Sequence, residues 1–233
     1  LIRNQNKAKE ENRKKNDLIM YMAHDLKTPL TSVIGYLTLL SEEKEISEEF
    51  QKKYIKIALD KALRLEDLTN QFFDITRYNL QTMSITKQNI NIVFLIEQLV
   101  EEAYPMLQEK NLKCIVNKTK DITFFGDGDK LARAFGNLLK NAISYSYKDT
   151  SIKINIEEDN GKIRIIFKNK GDKIPEYKLE KIFDKFYRGD EARISSTGGA
   201  GLGLAITKQI IELHDGKIYA KNDDEYIEFY IEL

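Results

Sequence analysis

His24 lies in the segment Met22-Ala23-His24-Asp25-Leu26-Lys27-Thr28-Pro29-Leu30. On a helix it falls about 200° from Leu26, so it points away from the apolar stripe and into water. With Asp25 placed to accept from ring Nδ1, Nε2 is left as a nucleophile, and Thr28, four residues on, shares the histidine's face. A surface histidine on a helix is the bland reading of the same residues. Pro29 weighs against it, because a proline inside a helix costs about 3 kcal/mol or more and asks for a reason beside an exposed histidine.

Two further clusters are chemically informative. Thr197-Gly198-Gly199-Ala200-Gly201-Leu202-Gly203-Leu204 holds four of the chain's 12 glycines and opens directly into a helical pattern. Bare backbone amides and a helix N-terminus converge there, an arrangement that takes up phosphate or serves as a hinge. The glycine spacing fits neither a dinucleotide fingerprint nor a P-loop. In Asn137-Leu138-Leu139-Lys140-Asn141-Ala142 two amides stand at i and i+4 on one face of an otherwise apolar helix. Amide oxygens are hard ligands of the kind Mg²⁺ takes together with water and substrate phosphates.

The elements that must position these residues fall into two sets. Ile19, Leu26, Val33 and Leu40 recur every seven residues, with Met22 and Leu37 between them. Ala58, Leu65 and Phe72 repeat the spacing, with Leu68 and Ile75 interleaved. Ser47 followed by Glu48 and Glu49 offers a cap and negative charge for the second helix. Two such helices cannot enclose their own stripes, and pairing with a second copy into a four-helix bundle would do so. Beyond residue 81 the pattern changes. Asn91 to Lys110 reads as a helix capped by Asn91 and interrupted by Pro105, Leu112 to Asn117 as a strand, and Asp129 to Ser144 as a helix. Ser151–Glu157 and Lys162–Lys168 read as a hairpin turning at Asp159-Asn160-Gly161. Residues 184–200 read as a long mobile loop, Leu202–Leu213 as a helix, and Lys217–Ala220 with Tyr226–Leu233 as a closing antiparallel pair. This half is α+β, with antiparallel strands and helices on one face. The two regions are therefore expected at 1–81 and 82–233.

Composition narrows the function. In 233 residues, 37 basic and 37 acidic side chains cancel, so nothing favours a nucleic-acid partner. One cysteine, Cys114, and two histidines leave no disulfide and little zinc chemistry. No apolar run reaches the roughly 18–20 residues that cross a bilayer. The chain begins in mid-pattern with six basic residues between Arg3 and Lys15, which fits a fragment starting on the cytoplasmic side of a membrane segment that it does not itself contain.

In order, the His24 segment, the Asn137 segment, Asn169-Lys170-Gly171-Asp172-Lys173-Ile174-Pro175, Phe183-Asp184-Lys185-Phe186-Tyr187-Arg188 and the glycine cluster resemble the H, N, G1, F and G2 boxes of a sensor histidine kinase. The resemblance covers essentially the whole chain. It implies a dimerising, histidine-phosphotransfer helical hairpin at 1–81. A catalytic α/β-sandwich ATP-binding domain of the Bergerat type, shared with gyrase and Hsp90, would follow at 82–233.

Carried over by position, the resemblance makes His24 the phosphoacceptor, Asp25 its base, and Thr28 the residue that places water when the site dephosphorylates its partner. Asn137 and Asn141 would bind Mg²⁺ and the phosphates of ATP, with Tyr145 nearby. Arg188 and the loop to Gly199 would form a lid over Phe183 and Phe186. Gly199, Gly201, Leu202 and Gly203 would line the phosphates, and Asn169 and Gly171 the base. The implied partners are a second copy through the hairpin and the receiver domain of a response regulator. The implied setting is the cytoplasmic portion of a protein anchored in the bacterial cell membrane.

Some positions depart from the pattern. Asn169 stands where the family usually has Asp, Lys173 replaces a glycine, and Ser144 occupies a place where Lys or Arg often meets phosphate. His214 reads as part of a turn. Two other classes compete. One is a gyrase- or Hsp90-type ATPase with His24 a bystander, disfavoured by Lys140 where such enzymes often keep a glutamate. The other is a catalytically silent dimeric scaffold.

Overall fold

A computed structural model of the chain describes residues 20, 23, 25–43, 46–79, 85–184 and 203–233. It divides into two compact units, Leu1–Met83 and Ser84–Leu233.

The first unit is a helical hairpin. Helix α1 (residues 25–42) runs through Pro29, which is buried. Helix α2 (Glu48–Asn79) starts where the Ser47 carbonyl accepts from Gln51 N at 3.0 Å, with Glu48 and Glu49 in its first turn. The ring of Tyr36 meets that of Tyr54 at 5.5 Å, and Tyr54 meets Phe50 at 5.9 Å, fastening α1 to α2. Ala58 and Leu68 are buried, Leu26, Val33, Leu40 and Leu65 half-buried, as their stripe requires. Leu37 departs from it and is exposed, as are Leu30 and Ile34 on α1 and Ile55, Leu59 and Leu63 on α2. The hairpin thus closes one apolar seam and leaves a second uncovered. Ile19 and Met22, and the side chains of Phe72 and Ile75, lie outside the described residues. Among the described residues no helix is long and apolar enough to cross a membrane.

The second unit begins with β1 (Gln88–Asn91) and α3 (Ile92–Glu102), whose cap is Asn91: its side-chain oxygen accepts from Phe94 N at 3.0 Å. The break expected at Pro105 falls at Ala103. Pro105 instead opens the next helix, α4 (Tyr104–Glu109), where its missing N–H costs nothing. Then come β2 (Lys113–Lys118), β3 (Thr123–Gly126), α5 (Gly128–Tyr145), β4 (Ser151–Asp159), β5 (Lys162–Lys170), two single 3₁₀ turns at Glu176–Lys178 and Lys181–Phe183, α6 (Gly203–Leu213), β6 (Lys217–Asp223) and β7 (Tyr226–Glu232).

A five-stranded sheet has the order β2-β4-β5-β7-β6, and β1 pairs with β3 in a separate antiparallel ribbon. Two expectations need correcting. The strands are not all antiparallel, since β2 and β4 run parallel from Lys113↔Ser151 to Lys118↔Ile156, the connection between them passing through α5. And β1 and β3, with no strand expected in either place, form a ribbon of four residues each. The turn between β4 and β5 is as read: Asn160 and Gly161 both take positive φ, 52° and 77°, which a two-residue turn of the primed type demands.

The core lies between the sheet and its helices. Ile152, Ile154 and Ile156 of β4, Ile163, Ile165 and Phe167 of β5, and Leu131, Phe135, Leu138 and Leu139 of α5 are buried. Phe135 stacks on Phe167 at 6.3 Å. Each such side chain contributes about 1.5–3 kcal/mol by leaving water, so α5 is held rigidly across the sheet.

Candidate functional site

Helix α5 carries the two asparagines, and both of its ends are anchored. Asp127 is the N-cap: its carboxylate accepts from Lys130 N at 3.1 Å, Lys130 Nζ at 2.7 Å and Thr86 N at 2.9 Å. Burial pushes the Asp127 carboxyl up, but the Lys130 ammonium and these backbone amides outweigh it and hold the group down at about 2. At the other end Lys110 Nζ donates to the carbonyl of Ile143 at 2.9 Å and to that of Ser144, and Ser146 Oγ donates to Ala142 O at 2.6 Å.

On that fixed helix Asn137 is half-buried, and its Nδ2 donates to the backbone carbonyl of Gly203 at 3.2 Å. Thr207, fully buried, donates to the same carbonyl at 2.8 Å. The amide of Asn137 is thereby oriented, with one of its two N–H groups given to the first residue of α6 and its Oδ1 of the chemical type that acts as a hard ligand. Asn141 stands one turn further along the same face, and Arg133 one turn before it. Burial pushes the Arg133 guanidinium down.

The end of β5 meets the end of α5. A Cβ on Gly171 would lie 2.3 Å from the carbonyl oxygen of Tyr145 and 3.5 Å from Asn169 Nδ2, so only glycine fits. Tyr147 N donates to Lys170 O at 3.0 Å and Tyr147 Oη to Asp172 at 2.6 Å, and that carboxylate raises the tyrosine's pKa. Asn222 clamps the following stretch, accepting from Ile174 N at 3.1 Å and donating to Ile174 O at 2.7 Å. Asn169 is 2% exposed, and its Nδ2 has no partner.

The structure therefore brings together Asn137 with Gly203, and Asn169 and Gly171 with the backbone of Tyr145, whose side chain is exposed. In the hairpin Asp25 is half-buried and Thr28 exposed, three residues apart on α1. His24, Phe186, Arg188, Gly199, Gly201 and Leu202 lie outside the described residues, as do positions 185–200 of the expected loop. Phe183 is buried and meets Phe229 edge-on at 6.2 Å, a core contact. Burial pushes the Cys114 thiol up to about 11, which removes it as a nucleophile. Sequence reasoning missed Lys110 and Asn222, whose partners lie 33 or more residues away, and the partly buried Arg133.

The donor set suits Mg²⁺ with a nucleotide: a neutral, oriented amide oxygen is one of the few protein ligands such an ion takes when phosphates and water supply the rest. An orphaned buried amide beside a glycine cradle suits an uncharged base.

This construction, a helical hairpin followed by a mixed sheet with helices packed on it, is that of the histidine kinases. The His Kinase A (phospho-acceptor) domain matches residues 14–81, and the histidine kinase-, DNA gyrase B- and HSP90-like ATPase domain matches residues 126–233. The chain belongs to the sensor histidine kinases. Among them it resembles the sensor protein VanS of Enterococcus faecium, with 50% identity over 97% of this chain and 59% of that protein. The sensor protein VanSC of Enterococcus gallinarum is 45% identical over 100% of this chain and 64% of that protein. The chain thus spans about six-tenths of the length of these relatives. The solved histidine kinase ThkA, in complex with response regulator protein TrrA, has the same fold with a TM-score of 0.74 at 24% identity, over 97% of this chain and 63% of that one.

Proposed function

We propose that the chain is the cytoplasmic catalytic portion of a membrane-anchored sensor kinase. It phosphorylates its own His24 from ATP, then passes the phosphoryl group to an aspartate of a response regulator. The observation that carries this reading is the succession, in one chain, of a phospho-acceptor domain and an ATP-binding domain. The division into functions is drawn at residues 81 and 82.

Asp25 holds the hydrogen on Nδ1 of His24, which leaves the Nε2 lone pair free. Nε2 attacks the γ-phosphorus in line; the N–P bond forms, the bond to the leaving ADP oxygen breaks, and the proton stays on Nδ1 opposite Asp25. Bound Mg²⁺ supplies charge neutralisation on the phosphate oxygens. Asn141 and the amide oxygen of Asn137 would hold the ion, while Lys140 or Arg188 would supply the cationic charge that Ser144 lacks. Gly199, Gly201, Leu202 and Gly203 bring bare backbone to the phosphates, and Tyr145, Asn169 and Gly171 take the base end. Thr28 orients a water for the reverse task, dephosphorylation of the regulator, which makes the protein bifunctional. The uncovered stripes of α1 and α2 support a homodimer, and the ThkA complex with a response regulator supports that class of partner.

The test is incubation of the chain and of His24→Gln with γ-labelled ATP and Mg²⁺, then acid and alkali treatment. Acid-labile, alkali-stable label absent from the variant is the expected result. Free phosphate without labelled protein would mean an ATPase, and no turnover a scaffold.

A further inference from the structure

Tyr147 links the end of α5 to the stretch that follows β5. It stands two residues beyond α5, past the cap at Ser146, and its backbone is held on both sides: Tyr147 N donates to Lys170 O at 3.0 Å, and Tyr147 O accepts from Thr150 Oγ1 at 2.7 Å. From that fixed point Tyr147 Oη donates to Asp172 Oδ1 at 2.6 Å. This is the length of a hydroxyl bonded to an ionised carboxylate, one of the stronger kinds of hydrogen bond. The Asp172 charge raises the tyrosine's pKa, so the phenol keeps the proton that the bond needs.

Residues 171–174 have no regular structure, and their position comes from side chains of other elements. Asn222 of β6 holds Ile174 through both its N–H, at 3.1 Å, and its carbonyl, at 2.7 Å. The Tyr147 bond fastens the same stretch to the end of α5, the helix on which Asn137 and Asn141 stand. Tyr147 is 50% exposed and Asp172 is exposed, so neither side chain is there to fill the core.

Resting on the nucleotide-binding reading above, we infer that Tyr147 is a positioning residue for the nucleotide: through Asp172 it sets the separation between the asparagines of α5 and the corner at Asn169 and Gly171. A nucleotide that reaches from one to the other touches both at once. When the two already stand at the right separation, less freedom is lost on binding and more of the contact energy appears as affinity. Tyr147 acts through the segment it holds and needs no contact with the ligand.

The experiment is calorimetric titration of the full chain with MgATP, alongside thermal melts without nucleotide. Tyr147→Phe removes one exposed oxygen; it should raise the dissociation constant about three- to tenfold, as for one exposed hydrogen bond, and melt with the parent. Asp172→Ala should weaken binding by the same factor, and joining it to Tyr147→Phe should add nothing. Asp172→Asn keeps an accepting oxygen and should stay within about twofold of the parent. An unchanged constant in Tyr147→Phe overturns the inference, and so does a lowered melt with unchanged binding, which would make the pair purely structural. Asp172→Asn binding as weakly as Asp172→Ala overturns it too. A parent that takes up no MgATP overturns the underlying reading and the inference with it. Should Tyr147→Phe fail to fold, the contrast between the two Asp172 variants decides.

Discussion

The backbone N–H of Asp127 donates to Nε2 of His214 at 2.9 Å, which ties the cap residue of α5 to the turn that ends α6. Since Nε2 accepts, the ring hydrogen sits on Nδ1, 2.7 Å from the carbonyl of Ile210. The helix that bears the asparagines is thus registered against the helix that begins at Gly203 through a contact 87 residues apart in sequence.

The same cap makes stability depend on acid. The Asp127 carboxyl sits at about 2 when folded, against about 3.9 in an unfolded chain. A lowered pKa contributes stability that is present in full above about pH 4 and is lost as pH falls towards 2. Asparagine caps helices well but carries no charge. Asp127→Asn should therefore melt below the parent at pH 6, by about 1 kcal/mol, and the gap should close as the two are compared down to pH 2. A gap independent of pH would contradict this account of the cap.

Gly171 has no room for a side chain, because the Tyr145 carbonyl lies 2.3 Å from its would-be Cβ and is backbone that cannot swing aside. Gly171→Ala should cost about 2 kcal/mol, in the range of overpacked sites, and weaken ATP binding at least tenfold by displacing Asn169. Gly35 in α1 has nothing within 4 Å, and Gly35→Ala should raise stability by up to ~1 kcal/mol. Thermal melts of both variants with nucleotide titration of the first check the contrast.

What could be read from the sequence was what local pattern encodes. The Asn91 cap, the Asn160-Gly161 turn and the buried face of α5 depend on neighbours within a few residues, so residue types reveal them. The β1–β3 ribbon was not legible: four residues such as Gln88-Asn89-Ile90-Asn91 are too short and polar to show a period. Nor was the parallel run of β2 beside β4, since strand direction is set by the crossover and not by either strand. Asn137 and Asn141 were legible as a pair on one face; that Asn137 gives one of its N–H groups to Gly203 depends on a residue 66 positions away. His214 read as a turn residue, and only the fold reveals its tie to Asp127.

The hairpin leaves Ile55, Leu59 and Leu63 at four-residue spacing on α2, each more than half exposed, and Leu30, Ile34 and Leu37 on α1. Six large apolar side chains in two stripes ask for cover, and a second hairpin supplies it. In a symmetric pair each substitution is felt twice. At ~1.5–3 kcal/mol for each buried leucine, Leu59→Glu should weaken dimerisation by two orders of magnitude or more while leaving helical content intact. Light scattering across a dilution series measures this, and a dimer as tight as the parent's would remove that stripe from the interface.

Asn137 and Asn141 should respond differently to the same change. At Asn137 the donor to Gly203 would be replaced by a carboxylate oxygen facing a carbonyl oxygen 3.2 Å away, so Asn137→Asp loses a hydrogen bond and gains a repulsion at the start of α6. The expected cost is about 1–3 kcal/mol of stability, together with at least a tenfold loss of ATP affinity. Asn141→Asp should abolish most autophosphorylation while changing stability by no more than about 0.5 kcal/mol, as for a residue without such a tie. Denaturant midpoints separate the two, because a purely metal-binding role for both would leave both folds equally stable. Equal midpoints would therefore remove the Gly203 bond from the account of how Asn137 is oriented.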